Sequence, residues 1–253
     1  MADGRFTGQV VLITGAASGF GAEAARRFAA EGARLVLSDL DPIADPPIDV
    51  LDHPADVSDA DQMAALHEAA LDRFGQIDVA INNAGIGHDL APLTDIPVEA
   101  FDRMMAVNAR GVFLGMKHQL PGMIARKSGV ILNVSSAAGL LGASHLSAYA
   151  ASKHAVVGLT RAAADEVARA GVRVNAVCPS FAATPLFNEM ADDIATKRGM
   201  DRETAYTHIA ARIPMRRVAR VEEVVQAMVW ACDPANSFMT GQTISIDGGL
   251  TAV

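Results

Sequence analysis

The sequence has 253 residues, of which 51% are hydrophobic and 20% charged, and its formal net charge is −8. This length suits two small domains or one α/β domain of ordinary size, and the apolar content is enough for one large core. The negative charge argues against nucleic acid and anionic membranes as main partners, because both require a cationic surface.

The sequence carries no export, membrane or metal signal. Residues 1–6 have no apolar stretch, so we expect no secretory signal peptide, and no apolar run approaches the ~18 residues of a membrane span. The two cysteines, Cys178 and Cys232, lie in apolar contexts and are predicted to be buried thiols in a reducing, cytoplasmic compartment. The seven histidines show no ligand-like spacing, so no metal site is expected.

Short apolar runs alternate with longer amphipathic segments along the chain. The runs are apolar throughout, as in the strands of a parallel sheet covered on both faces, and lie at residues 10–13, 34–37, 77–81, 130–134, 172–177 and 243–246. Helices are predicted between them at residues 22–30, 61–73, 98–126, 148–170 and 221–232. The alternation predicts an α/β fold: one doubly wound (Rossmann) parallel sheet of about seven strands with helices on both faces, in a single domain over residues 1–253.

The segment 41–50 departs from this alternation. Its three prolines, Pro42, Pro46 and Pro47, cannot lie inside a helix, because proline removes a backbone donor and clashes with the preceding turn. The helix expected after the second strand is therefore predicted to be short or missing.

Small or polar residues follow the predicted strands at the points where those strands end. They are Gly15, Asp39, Asn83, Ser136 and Pro179. In open parallel sheets, ligands bind beyond the carboxyl ends of the strands. The sequence therefore predicts a binding site at this edge of the sheet.

The loop from Thr14 to Gly21 joins the first strand to the first helix with the glycine pattern G-x-x-x-G-x-G. Such glycines allow a tight turn and let backbone N–H groups approach a pyrophosphate at a helix N-terminus. Asp39 ends the next strand, where a carboxylate can bind a ribose 2′-hydroxyl and repels a 2′-phosphate. No Arg or Lys lies in the loop or immediately after Asp39, which favours NAD over NADP.

Tyr149 and Lys153 are four residues apart, so on a helix they lie on the same face. A nearby positive charge favours the phenolate, and the positive end of the helix acts in the same direction if Tyr149 lies in the first turn. Ser136 could donate a hydrogen bond to an oxygen that gains charge. Taken alone, the spacing also fits a solvated pair on an exposed helix.

Together these motifs resemble the short-chain dehydrogenase/reductase family. They occur in that family's order and at its typical separations, and they extend over residues 10–249. The residues that carry the resemblance are the glycine loop 15–21, Asn82–Gly85, Asn108, Ser136, Tyr149, Lys153 and Asp247–Gly249.

The resemblance implies a role for each of four catalytic residues. Tyr149 would be the general acid/base, and Ser136 would orient and stabilise the substrate oxygen. Ser136 is preferred to Ser135 because of its separation from Tyr149. Lys153 would lower the pKa of the phenol and hold the nicotinamide ribose, and Asn108 would hold a water that links Lys153 to solvent.

The resemblance also implies a set of NAD-binding residues. Asp56 and Val57 would contact the adenine, Asn83 would lie beside the ribose, and Thr184 would contact the carboxamide. The full set is Gly15, Ser18, Gly19, Phe20, Gly21, Asp39, Asp56, Val57, Asn83, Tyr149, Lys153, Pro179 and Thr184.

Two features depart from the family pattern. The family usually has Pro-Gly where this chain has Pro179-Ser180, so the backbone there is expected to differ slightly. The interval from Asp39 to Asp56 is short and rich in proline, which predicts a more open adenine side of the pocket.

Substrate choice is predicted to depend on residues 86–93, 138–146 and a lid segment at 181–215. The lid carries the larger apolar side chains Phe181, Leu186, Phe187, Met190, Met200, Tyr206 and Ile209. These favour an apolar secondary alcohol or ketone, cyclic or aromatic, as the small-molecule substrate. The alternative is that they pack the lid onto the core. His88 and His145 could face the pocket or be ordinary loop residues.

The helices at 98–126 and 148–170 carry many small apolar residues. Similar helices in the family form a dimer interface, often within a tetramer, so the resemblance implies a homo-oligomer, and Leu250–Val253 could pack at another contact. The leading hypothesis is an NAD(H)-dependent alcohol dehydrogenase or ketone reductase. The alternatives are a dihydrodiol or hydroxysteroid dehydrogenase on the same scaffold, and a dinucleotide-binding regulator without turnover.

Overall fold

In the computed structural model, which describes residues 4–47 and 49–252, seven parallel strands form one sheet in the order β3-β2-β1-β4-β5-β6-β7. The strands are β1 Val10–Thr14, β2 Arg34–Ser38, β3 Val50–Asp52, β4 Val79–Asn82, β5 Gly129–Val134, β6 Val172–Pro179 and β7 Thr243–Ile246. The predicted sheet is confirmed. The predictions for residues 1–3 and for Val253 lie outside the described residues.

Helices cover both faces of the sheet. They are α1 Gly19–Ala30, α2 Ala60–Phe74, α3 Val98–Met104, α4 Gly111–Arg126, α5 Ser147–Val167, α6 Pro185–Arg198, α7 Arg202–Ala210 and α8 Val221–Cys232. None of the helices in the described ranges is both long and apolar enough to cross a bilayer.

The central strands are buried on both faces, which explains why they are apolar throughout. Successive side chains of a strand point to opposite faces, so Ile13 of β1 packs toward α1 and α8, and Leu12 packs toward α2, α4 and α5. On the first face Phe28 of α1 meets Met228 of α8, and both are buried. Each such large apolar side chain contributes about 1.5–3 kcal/mol by leaving water.

Residues 39–47 and 49 connect β2 to β3 without a helix, as the prolines predict. Strand β3 itself was not predicted, because it has only three residues, Val50–Asp52, and lies partly exposed at the edge of the sheet. The strand order reverses between β1 and β4, and this switch point opens a crevice at the carboxyl edge.

The predicted helix 98–126 is interrupted. Between α3 and α4 the chain forms a π-helical segment, Met105–Arg110, which contains the buried Asn108. A π-helical turn within a longer helix often occurs at a functional site.

Helices α6 and α7 were not predicted individually, although the sequence marks their ends. Thr184 accepts a hydrogen bond from the backbone N–H of Phe187 at 3.3 Å, and Asp201 accepts one from Thr204 at 2.7 Å. Gly199 follows α6 in the left-handed conformation. These are ordinary capping signals, and they show that the lid is a pair of helices.

His67 gives the fold a pH dependence. Its ring is buried on α2, Nδ1 lies 2.6 Å from the carbonyl oxygen of Met63, and burial lowers the pKa of the imidazole from 6.5 to about 4. The unfolded chain therefore binds a proton between pH 6.5 and pH 4 that the folded chain does not, so stability falls as the pH falls through this window. We expect His67 to cost the unaltered protein about 2 kcal/mol of stability between pH 7 and pH 5, and this loss should be absent from the His67→Leu variant.

Urea unfolding at pH 7 and pH 5 measures this effect. The control is His208→Gln, which changes an exposed imidazole on α7 and should leave the pH dependence as in the unaltered protein. An identical loss of stability in the His67→Leu and unaltered proteins would contradict the assignment.

Candidate active site

The carboxyl edge of the sheet brings the predicted strand-end residues together. Backbone hydrogen bonds join neighbouring strand ends: Ala16 donates to Ser38 at 3.2 Å, and Ser180 donates to Ile246 at 3.2 Å. Pro179 is buried at the end of β6. The predicted site residues therefore lie on one continuous edge.

The glycine loop between β1 and α1 is tightly packed. Gly15 and Gly19 have positive φ values of 66° and 53°, and a Cβ on Gly15 would lie 2.8 Å from the Cα of Ala84. A Cβ on Gly21 would overlap the carbonyl oxygen of Gly15. Only glycine fits these three positions.

The start of α1 fits an anionic ligand. Within the described chain, Ser18 stands at the N-cap with no side-chain capping hydrogen bond, and no acidic residue occupies the first turn. The N-terminal N–H groups and the helix dipole are therefore available to a phosphate. Phe20, two residues after Ser18, is partly buried and packs against the apolar layer of α1 and α8.

Asn83 and Thr14 hold the glycine loop in place. The amide nitrogen of Asn83 donates to the carbonyl oxygens of Thr14 and Gly15, both at 2.9 Å. The hydroxyl of Thr14 accepts from the backbone N–H groups of Asn83 and Ala84 at 3.1 and 3.2 Å. Thr14 was not predicted, although a threonine that ends a strand directly before the first glycine was a usable signal.

Asp39 lies against the same loop. One of its carboxylate oxygens accepts from the N–H of Ala17 at 2.8 Å, and the other accepts from Leu40 at 2.7 Å. A carboxylate thus stands at the end of β2 beside the glycine loop, as the sequence predicts.

Asp56 and Val57 lie in the turn before α2. Asp56 accepts from the N–H and the hydroxyl of Ser58 at 2.9 and 2.7 Å. Val57 is buried against the start of α4, where a Cβ on Gly111 would lie 2.8 Å from its methyl carbon. The side chain of Val57 is thus mostly enclosed by packing contacts and leaves little exposed surface.

Tyr149 lies in the first turn of α5, as the helix-dipole argument requires. Burial raises the pKa of its phenol, and a hydrogen bond with Ser136 acts in the opposite direction. The hydroxyl of Ser136 also accepts from the N–H of Ala138 at 3.1 Å. The Ser136 hydroxyl therefore lies beside Tyr149 at the end of β5.

Lys153 is buried one turn after Tyr149, and its ammonium donates to the carbonyl oxygen of Val134 at 3.0 Å. The ammonium lies 5.6 Å from the centre of the Tyr149 ring, and burial lowers the pKa of Lys153 to about 8. Burial raises the pKa of the Tyr149 phenol, and the Lys153 ammonium donates to the strand and not to the phenol, so the lowering of the phenol pKa by Lys153 stays a prediction.

Ser135 has a different function from Ser136. Its hydroxyl is buried and donates to the backbone carbonyl oxygen of Lys153 at 2.9 Å. The bond ties β5 to α5, so the Ser135 hydroxyl is committed to the fold while that of Ser136 lies beside Tyr149.

Asn108 is completely buried in the π-helical segment. Its side chain accepts from the N–H of Ile86 at 2.9 Å, donates to the carbonyl of Ile86 at 3.0 Å, and donates to the hydroxyl of Ser152 at 3.0 Å. Both amide hydrogens are engaged. Asn108 thus fixes the chain after β4 next to Lys153, and its binding of a water that links Lys153 to solvent stays a prediction.

The larger lid side chains mostly pack together. Phe187 and Ile209 are buried, and the partly buried Phe181, Met190 and Tyr206 pack against them. Leu186 differs, because 38% of its surface is exposed. The alternative is that these side chains pack the lid onto the core; most of them do pack, but in a separate cluster within the lid.

Thr184, His88 and His145 are the remaining residues considered for the site, and each makes local contacts. The methyl group of Thr184 lies 3.5 Å from the Cβ position of Gly19, so the lid meets the glycine loop there. His88 and His145 each have Nδ1 2.8 Å from a local group, the carbonyl of Asp89 and the hydroxyl of Ser144. Among the described residues no cluster of His, Cys, Asp and Glu could hold a metal ion.

The Asp247–Gly249 turn supports the end of the lid. Asp247 is buried and accepts from the N–H groups of Gly249 and Thr251, both at 2.9 Å. Gly248 has a φ of 62°, and its carbonyl accepts from the N–H of Met215 at 3.1 Å.

Comparisons with known proteins agree with this geometry. A family model described as enoyl-(acyl carrier protein) reductase matches residues 15–251. The chain is 42% identical to cis-4-hydroxycyclohexanecarboxylate dehydrogenase of Sinomonas cyclohexanicum, over 98% of each chain. The crystal structure of levodione reductase matches with a TM-score of 0.92 and 36% identity, over 98% of this chain and 99% of that one. The 3-ketoacyl-(acyl-carrier-protein) reductase of Brucella melitensis, solved with NADH, matches with a TM-score of 0.85 and 35% identity, over 97% and 99% of the two chains.

Proposed function

The chain belongs to the short-chain dehydrogenase/reductase family of oxidoreductases that act on hydroxyl and ketone groups, and we propose that it interconverts an apolar, cyclic or aromatic secondary alcohol and its ketone with NAD(H). The observation that carries the proposal is the group formed by Ser136, Tyr149 and Lys153. It lies at the carboxyl edge of the sheet, as does the glycine loop, which would bind the dinucleotide.

The nicotinamide of NAD(H) supplies the hydride chemistry when bound, and the chain supplies binding, orientation and the proton. The glycine loop with the start of α1 would hold the pyrophosphate, and Asp39 the adenosine ribose. Lys153 would hold the nicotinamide ribose, and Thr184 would contact the carboxamide.

Tyr149 would move the proton. Burial raises the pKa of its phenol, so the group is protonated at neutral pH and can donate to the oxygen of a ketone. In the direction of alcohol oxidation Tyr149 must first lose its proton, and a charged Lys153 one turn away favours the phenolate, which then accepts the hydroxyl proton of the alcohol. Ser136 would donate a hydrogen bond to the same substrate oxygen.

NAD is proposed in preference to NADP because of Asp39. Its carboxylate lies beside the glycine loop at the end of β2 and would repel a 2′-phosphate. The NADH complex of the Brucella melitensis relative supports a nicotinamide cofactor in this crevice.

The substrate class is supported by the lid and by a relative. The lid presents the partly exposed apolar side chain of Leu186, and the relative from Sinomonas cyclohexanicum is named for a substrate with a cyclohexane ring. Cyclohexanol, 4-hydroxycyclohexanecarboxylate, a linear secondary alcohol and a sugar should be compared with NAD and with NADP by the absorbance of the reduced cofactor. We expect the highest kcat/KM for a cyclic alcohol with NAD. Activity confined to the sugar would refute the substrate class.

The two neighbouring serines offer a matched pair of variants. We expect Ser136→Ala to lower kcat by about 100-fold, because the hydrogen bond to the reacting oxygen is lost, and to cost about 1 kcal/mol of stability through the lost bond from the N–H of Ala138. Ser135→Ala should cost a similar amount of stability through the lost bond to Lys153, but it should leave kcat nearly unchanged. Steady-state kinetics and thermal unfolding separate the two effects. Equal kinetic defects in both variants would contradict the assignment.

We also propose a single-domain, cytoplasmic homo-oligomer, a dimer or tetramer. Exposed apolar side chains on α4, Phe113 and Ile124, support an interface on that helix. Light scattering of the purified protein tests the oligomeric state, and a monomer at all concentrations would contradict it.

A further inference from the structure

Helix α6 of the lid lies along the loop that follows β4. At one end Leu186 meets Gly87, where an added Cβ would lie 3.0 Å from its methyl carbon. Further along the helix Asp193 and Lys197 both reach Leu90. Residues 186, 193 and 197 recur at the spacing of one helix face, so one side of α6 makes all three contacts.

The second contact holds both backbone polar groups of one residue, Leu90. Asp193 accepts from the backbone N–H of Leu90 at 3.2 Å, and the ammonium of Lys197 donates to the carbonyl oxygen of Leu90 at 2.8 Å. The two side chains are themselves paired at 2.9 Å. We name this arrangement of Asp193, Lys197 and Leu90 the Leu90 clasp. Both backbone polar groups of Leu90 are thus satisfied by the lid.

The same loop is held on its other side as well. The N–H of Ala91 donates to the carbonyl oxygen of His145 at 3.1 Å, in the segment that leads into α5. The three segments that the sequence assigns to substrate choice are therefore connected through residues 90 and 91. The loop has little freedom to move unless the Leu90 clasp opens.

The position of Gly87 connects this clasp to the catalytic group. Two residues earlier, a Cβ on Gly85 would lie 3.2 Å from the ammonium nitrogen of Lys153. The intervening Ile86 is held by Asn108. Leu186 therefore lies over a part of the chain that reaches Lys153 directly. Its half-exposed side chain is available to a substrate there.

We propose that Asp193 and Lys197 are positioning residues for substrate size: the Leu90 clasp holds Leu186 against Gly87, and Leu186 forms the outer wall of the substrate pocket. This proposal rests on the proposed function. Their side chains are partly exposed, so the ion pair between them contributes little by itself, and the hydrogen bonds to Leu90 carry the effect.

The chain offers a matched control for these variants. Asp192 precedes Asp193 on α6, but its carboxylate pairs with Arg202 at 2.6 Å and not with Leu90. Asp193→Ala and Lys197→Met should open the clasp, while Asp192→Ala should leave it closed. Lys197→Arg keeps a donor and a positive charge, so its hydrogen exchange at Leu90 and its substrate preference should stay close to those of the unaltered protein.

The first measurement is amide hydrogen exchange of the peptide that spans residues 86–92. We expect exchange at Leu90 to be about 3- to 10-fold faster in Asp193→Ala than in the unaltered protein, as for the loss of one net hydrogen bond. Asp192→Ala should match the unaltered protein. Unchanged exchange in Asp193→Ala would overturn the clasp, whether or not the protein turns over an alcohol.

The second measurement is the ratio of kcat/KM for a bulky, substituted cyclohexanone to that for cyclohexanone, with NADH. This ratio should rise about 3- to 10-fold, through KM rather than kcat, in each of the variants Leu186→Ala, Asp193→Ala and Lys197→Met. In the double variant Leu186→Ala/Asp193→Ala the ratio should be little higher than in either single variant. An unchanged ratio, or fully additive effects in the double variant, would contradict the proposal that Leu186 forms the outer wall of the substrate pocket. If the unaltered protein reduces no ketone at all, both the proposed function and the proposed role of Leu186 are wrong. Hydrogen exchange would still show whether Asp193 and Lys197 hold Leu90.

Discussion

Replacing Tyr149 by phenylalanine should lower kcat by about 10²- to 10⁴-fold, the usual contribution of a positioned general acid/base. The change removes one oxygen from the first turn of α5 and leaves the ring in place. Binding of NADH should change little, because the glycine loop and Asp39 are untouched. Steady-state kinetics, NADH fluorescence titration and thermal unfolding of the same preparation separate these effects.

Tyr206 provides the control for this variant. It is the other of the two tyrosines in the sequence, and its hydroxyl donates to Asn188 within the lid. Tyr206→Phe should leave kcat nearly unchanged. A Tyr149→Phe protein with the turnover of the unaltered one would remove Tyr149 from the proton path.

Neutralising Asp39 should change the choice of dinucleotide. We expect Asp39→Asn to lower the ratio of kcat/KM for NAD to that for NADP by about 100-fold, because a carboxylate placed against a 2′-phosphate costs several kcal/mol. The amide keeps an acceptor for the N–H of Ala17, so the glycine loop should hold its shape. Kinetics with both cofactors at constant ionic strength measure the ratio.

The exposed neighbour Asp41 is the matched control for charge. Asp41→Asn removes the same charge from the same turn and should leave the ratio close to that of the unaltered protein, apart from a small, salt-dependent effect. Equal shifts in the two variants would mean that general electrostatics, not a contact made by Asp39, sets the preference.

The features that sequence predicts well here are local ones. The glycines of the loop 15–21 are needed by the backbone of that loop itself, and the spacing of Tyr149 and Lys153 is a property of one helix. The strands are apolar because both faces of the sheet are covered. Each of these requirements leaves a short, readable pattern in the chain.

The features that sequence did not predict depend on contacts between distant segments. The hydroxyl of Thr14 accepts a hydrogen bond from Asn83, directly after β4. Leu90 is bound by residues on α6 that lie more than a hundred positions later. The direction of the Tyr149 pKa depends on how deeply α5 is buried, which no spacing encodes. A π-helical segment at Met105–Arg110 likewise leaves the apolar periodicity of a helix almost unaltered.

The proposed hydride transfer between a cyclic alcohol and NAD can be tested directly with a deuterium label. The purified protein is incubated with NAD and a cyclic secondary alcohol that carries deuterium on the carbon bearing the hydroxyl group, and the products are analysed by mass spectrometry. We expect equal amounts of ketone and of NADH that contains the deuterium, with both products formed at least about 100-fold more slowly by Tyr149→Phe. Ketone without deuterium in NADH, or no reaction of the unaltered protein with any cyclic alcohol, would contradict the proposed hydride transfer.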